Sequence, residues 1–225
     1  TDVRHSPTIN YIRHVLLPVL ESMGLKASVE VHKYGYYPKG MGAVTLKVQP
    51  CKVLSPIRLE DFGEVTEAAG ISVCTFLADR KVAERQAKEA EKILATRGYR
   101  PKIRVVNDFS NPTQKGSSIV LWVKTNSGVI LGGDAIGEIG KTSEAVAREA
   151  TRNLLKEVDS EATVDVHLAD MLIPYVALAE GESSFLTRTV TEHMESNLWL
   201  ASTILGVNFH VERKEKLFRI VKTGS

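Results

Sequence analysis

From residue 9 onward, apolar side chains recur at Ile9, Ile12, Val15, Leu16, Val19, Leu20 and Met23, the spacing of one helical face. Pro18 falls inside that run and is expected to kink it, and Gly24 is placed to cap it. Beyond the glycine the period shortens to two. Ala27, Val29 and Val31 alternate with polar neighbours over 26–32, and alternation returns over 43–48, which predicts two strands separated by the turn at 34–43. The other end of the chain has the same order. A helix is predicted over 194–205, a cap at Gly206, a strand over 207–212, a turn at 214–216 and a second strand over 217–221. Helix, glycine, strand, turn and strand thus occur twice, which suggests a structural repeat with helices on one face of small sheets, an α+β arrangement.

The middle of the chain reads differently. An apolar strand is predicted at 70–76. A highly charged helix follows at 81–97, with a stripe of Val82, Ala83, Ala87, Ala90, Ile93 and Leu94. Strands follow at 102–106, 118–124 and 129–131, then a helix at 143–158. This β-α-β-β-β-α block is expected to be an α/β unit inserted at 58–160, with 1–57 and 161–225 forming the larger repeat-built part.

Composition narrows the class without naming it. The 225 residues are 43% hydrophobic, enough for an ordinary core, and 29 basic against 27 acidic residues leave a net charge of only +2. A nucleic-acid partner would therefore need a local basic patch. Cys51 and Cys74 lie in or beside apolar runs without metal-ligand spacing and read as buried thiols of a reducing compartment. No run approaches the ~18 apolar residues that would cross a bilayer, and no signal peptide opens the chain. A soluble, cytoplasmic protein with no membrane partner is expected. The opening Thr1-Asp2-Val3, without Met, suggests that the sequence begins inside a longer chain.

Four stretches could carry chemistry. Thr189 and Glu192 are spaced as a capping box, which would put His193 in the first turn of the helix at 194–205. Backbone N–H groups there attract phosphate and disfavour an imidazolium, so the ring could attack phosphorus; a surface histidine is the simpler alternative. Ala135-Ile-Gly-Glu-Ile-Gly-Lys-Thr142 approaches a P-loop, but its first glycine is replaced by alanine and its strand sits among hairpins. A connection in which Thr142 or Ser143 caps the next helix fits better. Asp165-Val-His-Leu-Ala-Asp-Met171 opens an apolar helix with His167 and Asp170 on one face. They could form half of a metal site, a base-stacking and ribose-binding pair, or simply a polar helix edge. The turn Tyr34-Gly-Tyr-Tyr-Pro-Lys-Gly-Met-Gly42 could let its backbone approach a polyanion closely, or it could be a hairpin packed by tyrosines.

Taken together, these stretches resemble the RNA 3′-terminal phosphate cyclase family across the whole chain. The turn resembles that family's glycine-rich signature, with Tyr34 in place of a basic residue and Met41 in place of the middle glycine. Thr1-Asp2 with Ser6-Pro7, the loop Gly137–Glu144, the string His167-Leu168-Ala169-Asp170-Met171, and Glu192-His193 with Asn197 resemble further family segments in order. Met171 stands where the family has glutamine. The resemblance implies repeated units of helices on a four-stranded β-sheet, with a smaller α/β domain inserted before the last repeat. It also implies ATP as co-substrate, a divalent ion (Mg²⁺ or Mn²⁺) and RNA bearing a 3′-terminal phosphate. His193 would become a histidyl-adenylate. His167, Leu168, Ala169, Asp170 and Met171 would bind the nucleotide, with Pro7 on the other face of the base. Metal ligands are not assignable. The alternative is a non-catalytic relative that binds pre-ribosomal RNA.

Overall fold

The computed structural model describes residues 1–223. Helix α1 spans 9–22 in three contiguous pieces: α-helical Ile9–Tyr11, a π-helical turn Ile12–Leu16 and α-helical Leu17–Ser22. The π turn is the response to Pro18. Proline has no N–H to give to the preceding turn, and the wider Leu17 N–H to Ile12 carbonyl bond lets the helix continue rather than break. Gly24, at φ +93°, turns the chain into β1, Ala27–Lys33, which pairs antiparallel with β2, Ala43–Val48. This sheet has two strands. Of the positions expected to face inward, Val29 is buried, whereas Ala27 and Val31 are partly covered.

The C-terminal copy is fuller. α4, Val166–Leu178, leads to β8, Ser183–Thr187; α5, Glu192–Leu205, leads through Gly206 to the hairpin β9, Asn208–Lys214, and β10, Leu217–Thr223. With β3, Arg58–Leu59, these strands form a four-stranded sheet in the order β3-β8-β10-β9. Helix, left-handed glycine and hairpin therefore recur at both ends, but four strands are assembled in only one of the two units.

Between them, β4 (Val65–Thr75), α2 (Val82–Thr96), β5 (Lys102–Asp108), β6 (Gly116–Thr125), β7 (Ile130–Ile136) and α3 (Ser143–Ser160) build a second four-stranded sheet in the order β5-β4-β6-β7. β4 and β5 are parallel, joined by α2; the other pairings are antiparallel. One face packs Ile119, Leu121, Val123 and Leu131 against Leu94 and Leu154 of α2 and α3. The opposite face packs Ile71, Val73, Val120 and Trp122 into the core that contains Tyr11 and Val15 of α1. The 58–160 unit thus shares a core with the repeat-built part, and its first two residues pair with β8 in the other sheet.

The pair Gly132-Gly133 makes the two-sided packing possible. A Cβ on Gly132 would come within 2.6 Å of the Tyr11 ring, and one on Gly133 within 2.3 Å of the Leu154 backbone nitrogen. Successive residues of a strand face opposite sides, so each glycine admits a helix on its own face. Cys74 is buried as expected. Cys51 is exposed, because it lies in the irregular connection after β2 rather than in a strand; both thiols are free. Among the described residues, no helix is long and apolar enough to cross a membrane.

Candidate functional site

The first turns of α4 and α5 are held together by side chains. Asp165 caps α4, accepting from the Leu168 N–H at 3.0 Å. The same buried carboxylate accepts from the Tyr11 hydroxyl at 2.6 Å and the Gly132 N–H at 2.9 Å, and so ties α1, β7 and α4 to one point. Burial pushes its pKa up, and these three hydrogen bonds pull it back. Thr191 caps α5: its Oγ1 accepts from Met194 N–H at 3.0 Å and donates to Asp170 Oδ1 at 2.5 Å. The Asn197 side chain donates to the Asp170 carbonyl at 2.9 Å.

Consequently α5 begins at Glu192, with Thr191 and not Thr189 as its cap, and the partner of the cap is Met194 N–H rather than a capping-box glutamate. Thr191 is selected because its hydroxyl alone can satisfy both that amide and Asp170. His193 is still in the first turn and is exposed, two residues from the threonine that holds Asp170. His167 is exposed in the first turn of α4, one helical turn before Asp170. The structure therefore brings the two histidine-bearing helix starts together through the Asp170–Thr191 pair. Leu168 and Ala169 are fully buried core residues and offer a ligand no side-chain surface. Asp170 and Met171 are half-buried, and one Asp170 oxygen is already engaged by Thr191.

Pro7 is half-buried and precedes Thr8, whose N–H donates to Asp134 Oδ2 at 2.7 Å. Burial raises the Asp134 carboxyl, while bonds from Thr8 and the nearby His167 lower it. Asp134 thus fastens the start of α1 to β7. Sequence reasoning missed Asp134, Thr191 and the Tyr11–Asp165 bond. Each joins residues far apart in sequence, and only a cap-type residue before a helix hints at Asp165 and Thr191.

The remaining two glycine-containing stretches lie elsewhere. Thr142 caps α3 through Ala145 N–H at 3.1 Å, and β7 before it is antiparallel to β6, so the GKT string is a strand-to-helix connection and not a P-loop. The turn at 34–42 is held by the Asn111 side chain, which donates to the carbonyls of Tyr34 and Gly40 at 2.7 and 3.0 Å. Both strings border one cavity of about 720 Å³, which neither His167 nor His193 lines.

The RNA 3′-terminal phosphate cyclase family model matches residues 1–211. The chain belongs to this family. Curated cyclase relatives agree: the RNA 3′-terminal phosphate cyclase of Pyrobaculum aerophilum is 38% identical over 226 residues, 100% of this chain and 64% of the relative. That of Thermococcus onnurineus is 41% identical over 212 residues, 94% of this chain and 61% of the relative. The chain therefore spans somewhat under two thirds of the length of these cyclases. Within this portion of the cyclase architecture, no group of three His, Cys, Asp or Glu side chains among the described residues is placed to hold a metal ion.

Proposed function

We propose that the chain carries the nucleotidyl-transfer centre of an ATP-dependent RNA 3′-terminal phosphate cyclase, with His193 as nucleophile. The observation that carries this reading is the Asp170–Thr191 bond. It sets His193 at an α5 start packed beside α4, where His167 offers a ring for stacking and Asp170 a remaining oxygen for ribose hydroxyls. Family membership supports the same assignment. Backbone N–H groups at the two helix starts favour phosphate oxygens nearby.

In the first step a lone pair of the neutral His193 ring attacks the α-phosphorus of ATP. The P–N bond forms as the bond to the β-phosphate oxygen breaks, and pyrophosphate leaves. An oxygen of the RNA 3′-phosphate then attacks the same phosphorus, displacing the imidazole and giving an RNA-adenylate. Finally the adjacent 2′-hydroxyl attacks the RNA phosphorus, loses its proton and expels AMP, leaving a 2′,3′-cyclic phosphate. Pro7, held by the Thr8–Asp134 bond, would face the base opposite His167. A divalent ion, Mg²⁺ or Mn²⁺, would be expected to enter on the triphosphate; no step here is routed through it.

The test is intact-mass measurement after incubation with ATP and Mg²⁺. The expected result is a mass increase of one AMP that disappears on adding 3′-phosphorylated RNA and is absent in His193→Ala. An adduct that persists in His193→Ala removes His193 from its role, and no adduct in the unsubstituted protein favours the non-catalytic RNA-binding reading.

A further inference from the structure

The cavity beside the turn at 34–42 is unaccounted for by the centre at His193. Its walls come from distant segments: residues 2–4, the turn at 36–38, the connections around 77–86 and 114–117, and the loop at 136–146. Five cationic side chains line it, Arg4, Arg80, Arg85, Lys115 and Lys141, against two carboxylates, Asp2 and Glu138. Arg4 pairs with Glu138, Arg85 with Glu144 and Lys141 with Glu149. Arg80 and Lys115 are exposed and make no ion pair among the described residues. At the rim stands Tyr37, 74% exposed. A large exposed aromatic beside uncompensated cations is the pairing with which proteins hold single-stranded nucleic acid, bases stacking while the backbone is neutralised.

Two features favour an extended polyanion over a compact triphosphate. The cations are spread over separate segments, and of the five only Lys141 belongs to the glycine-containing loop before α3. The cavity wall at residues 2–4 is also joined along the chain to the segment that carries Pro7. Arg4 lines the cavity, and only three residues later Pro7 adjoins the Thr8–Asp134 bond near His167. Three residues span at most about 10 Å, so Arg4 and Pro7 lie within that reach of each other.

We propose that this cavity is a track for the RNA strand upstream of its 3′ end, in which Arg80, Lys115 and their cationic neighbours hold phosphodiesters and Tyr37 stacks a base. The proposal rests on the reading of RNA as substrate given above. It assigns substrate binding to the inserted α/β unit, which supplies Arg80, Arg85, Lys115 and Lys141.

The experiment is fluorescence anisotropy with a labelled, 3′-phosphorylated RNA of about ten nucleotides, within the range of single-strand site sizes, titrated at several salt concentrations. Arg80→Ala/Lys115→Ala is expected to weaken binding by about tenfold and to reduce the slope of log affinity against log salt by about 1.4, roughly 0.7 per lost phosphate contact. Arg80→Glu/Lys115→Glu should weaken it further. Arg213→Ala/Lys214→Ala removes the same charge from β9 and should change affinity by less than about twofold, the weaker dependence of distant, screened charge. Equal losses in the two alanine doubles, or none in Arg80→Ala/Lys115→Ala, would overturn the track. Adduct formation is followed in the same preparations. AMP labelling with unaltered RNA affinity in the cavity double overturns this proposal alone; lost RNA affinity without AMP labelling of the unsubstituted protein overturns the reaction alone.

Discussion

Met41 occupies the left-handed region at φ +60°, in a turn whose family signature has glycine at that position. Its side chain is 65% exposed, so little packing offsets the backbone cost. A left-handed non-glycine residue costs roughly 1–2 kcal/mol, and glycine loses roughly 0.5–1 kcal/mol of extra chain entropy on folding. Met41→Gly is therefore expected to raise stability by about 0.5–1 kcal/mol in urea denaturation; an unchanged or lower midpoint would show that the side chain contributes more than its exposure suggests. At this scale the sequence points to residue types more readily than to their partners. His193 stands out by its first-turn position, and Asp170 by sharing a helix face with His167 three residues earlier. What holds Asp170 in place, the Thr191 hydroxyl, does not, because Thr189 and Thr191 are equally good caps until the fold brings Asp170 to one of them.

The junction of α4 and α5 is the element-scale device on which the candidate site depends. Thr191→Val removes both the cap and the Asp170 contact with little change in shape. It is expected to cost about 1–2 kcal/mol of stability and to slow AMP-adduct formation by at least about tenfold, as misplacement near a reacting centre does; Thr191→Ser should restore both. Adduct formation at the original rate in Thr191→Val would separate the cap from the chemistry. Long helices are legible because burial imposes a period: α1, α2 and α3 all follow their apolar spacing. The failures have physical causes. The apolar pattern predicts only three residues of β7, because Gly132-Gly133 interrupt its alternation, and those glycines are what admits helices on both faces. β3 and β8 are two and five residues long, too short for a period to register. The two-stranded β1-β2 sheet was not foreseeable, since strand pattern does not count neighbours.

On the scale of the whole molecule, the β5-β4-β6-β7 sheet shares a core with α1 and the C-terminal helices, and His14 marks the seam. Its ring, on α1, stacks flat on Trp122 of β6 with centroids 4.7 Å apart and planes 3° from parallel. Its Nε2 is buried without a hydrogen-bond partner. Burial, and then the positive charges of Arg13, Arg104 and Lys124, lower its pKa from 6.5 to about 4. The folded protein thus keeps this ring neutral where the unfolded chain would protonate it. Between these two values the unfolded state binds more protons, so acidification removes stability through this group, fully present above about pH 6.5 and lost as the pH falls toward 4. The full difference corresponds to roughly 3 kcal/mol, reduced to about 1–2 kcal/mol because water reaches the edge of a half-buried ring. His14→Phe keeps a flat ring against Trp122 and removes the titration. Relative to the unsubstituted protein it is therefore expected to gain about 1–2 kcal/mol between pH 7 and pH 4.5 in urea denaturation. Taking the difference between the two proteins cancels the carboxylates that titrate in the same range. If that difference does not change with pH, the seam does not depend on a neutral His14, and the two parts are held by apolar contact alone.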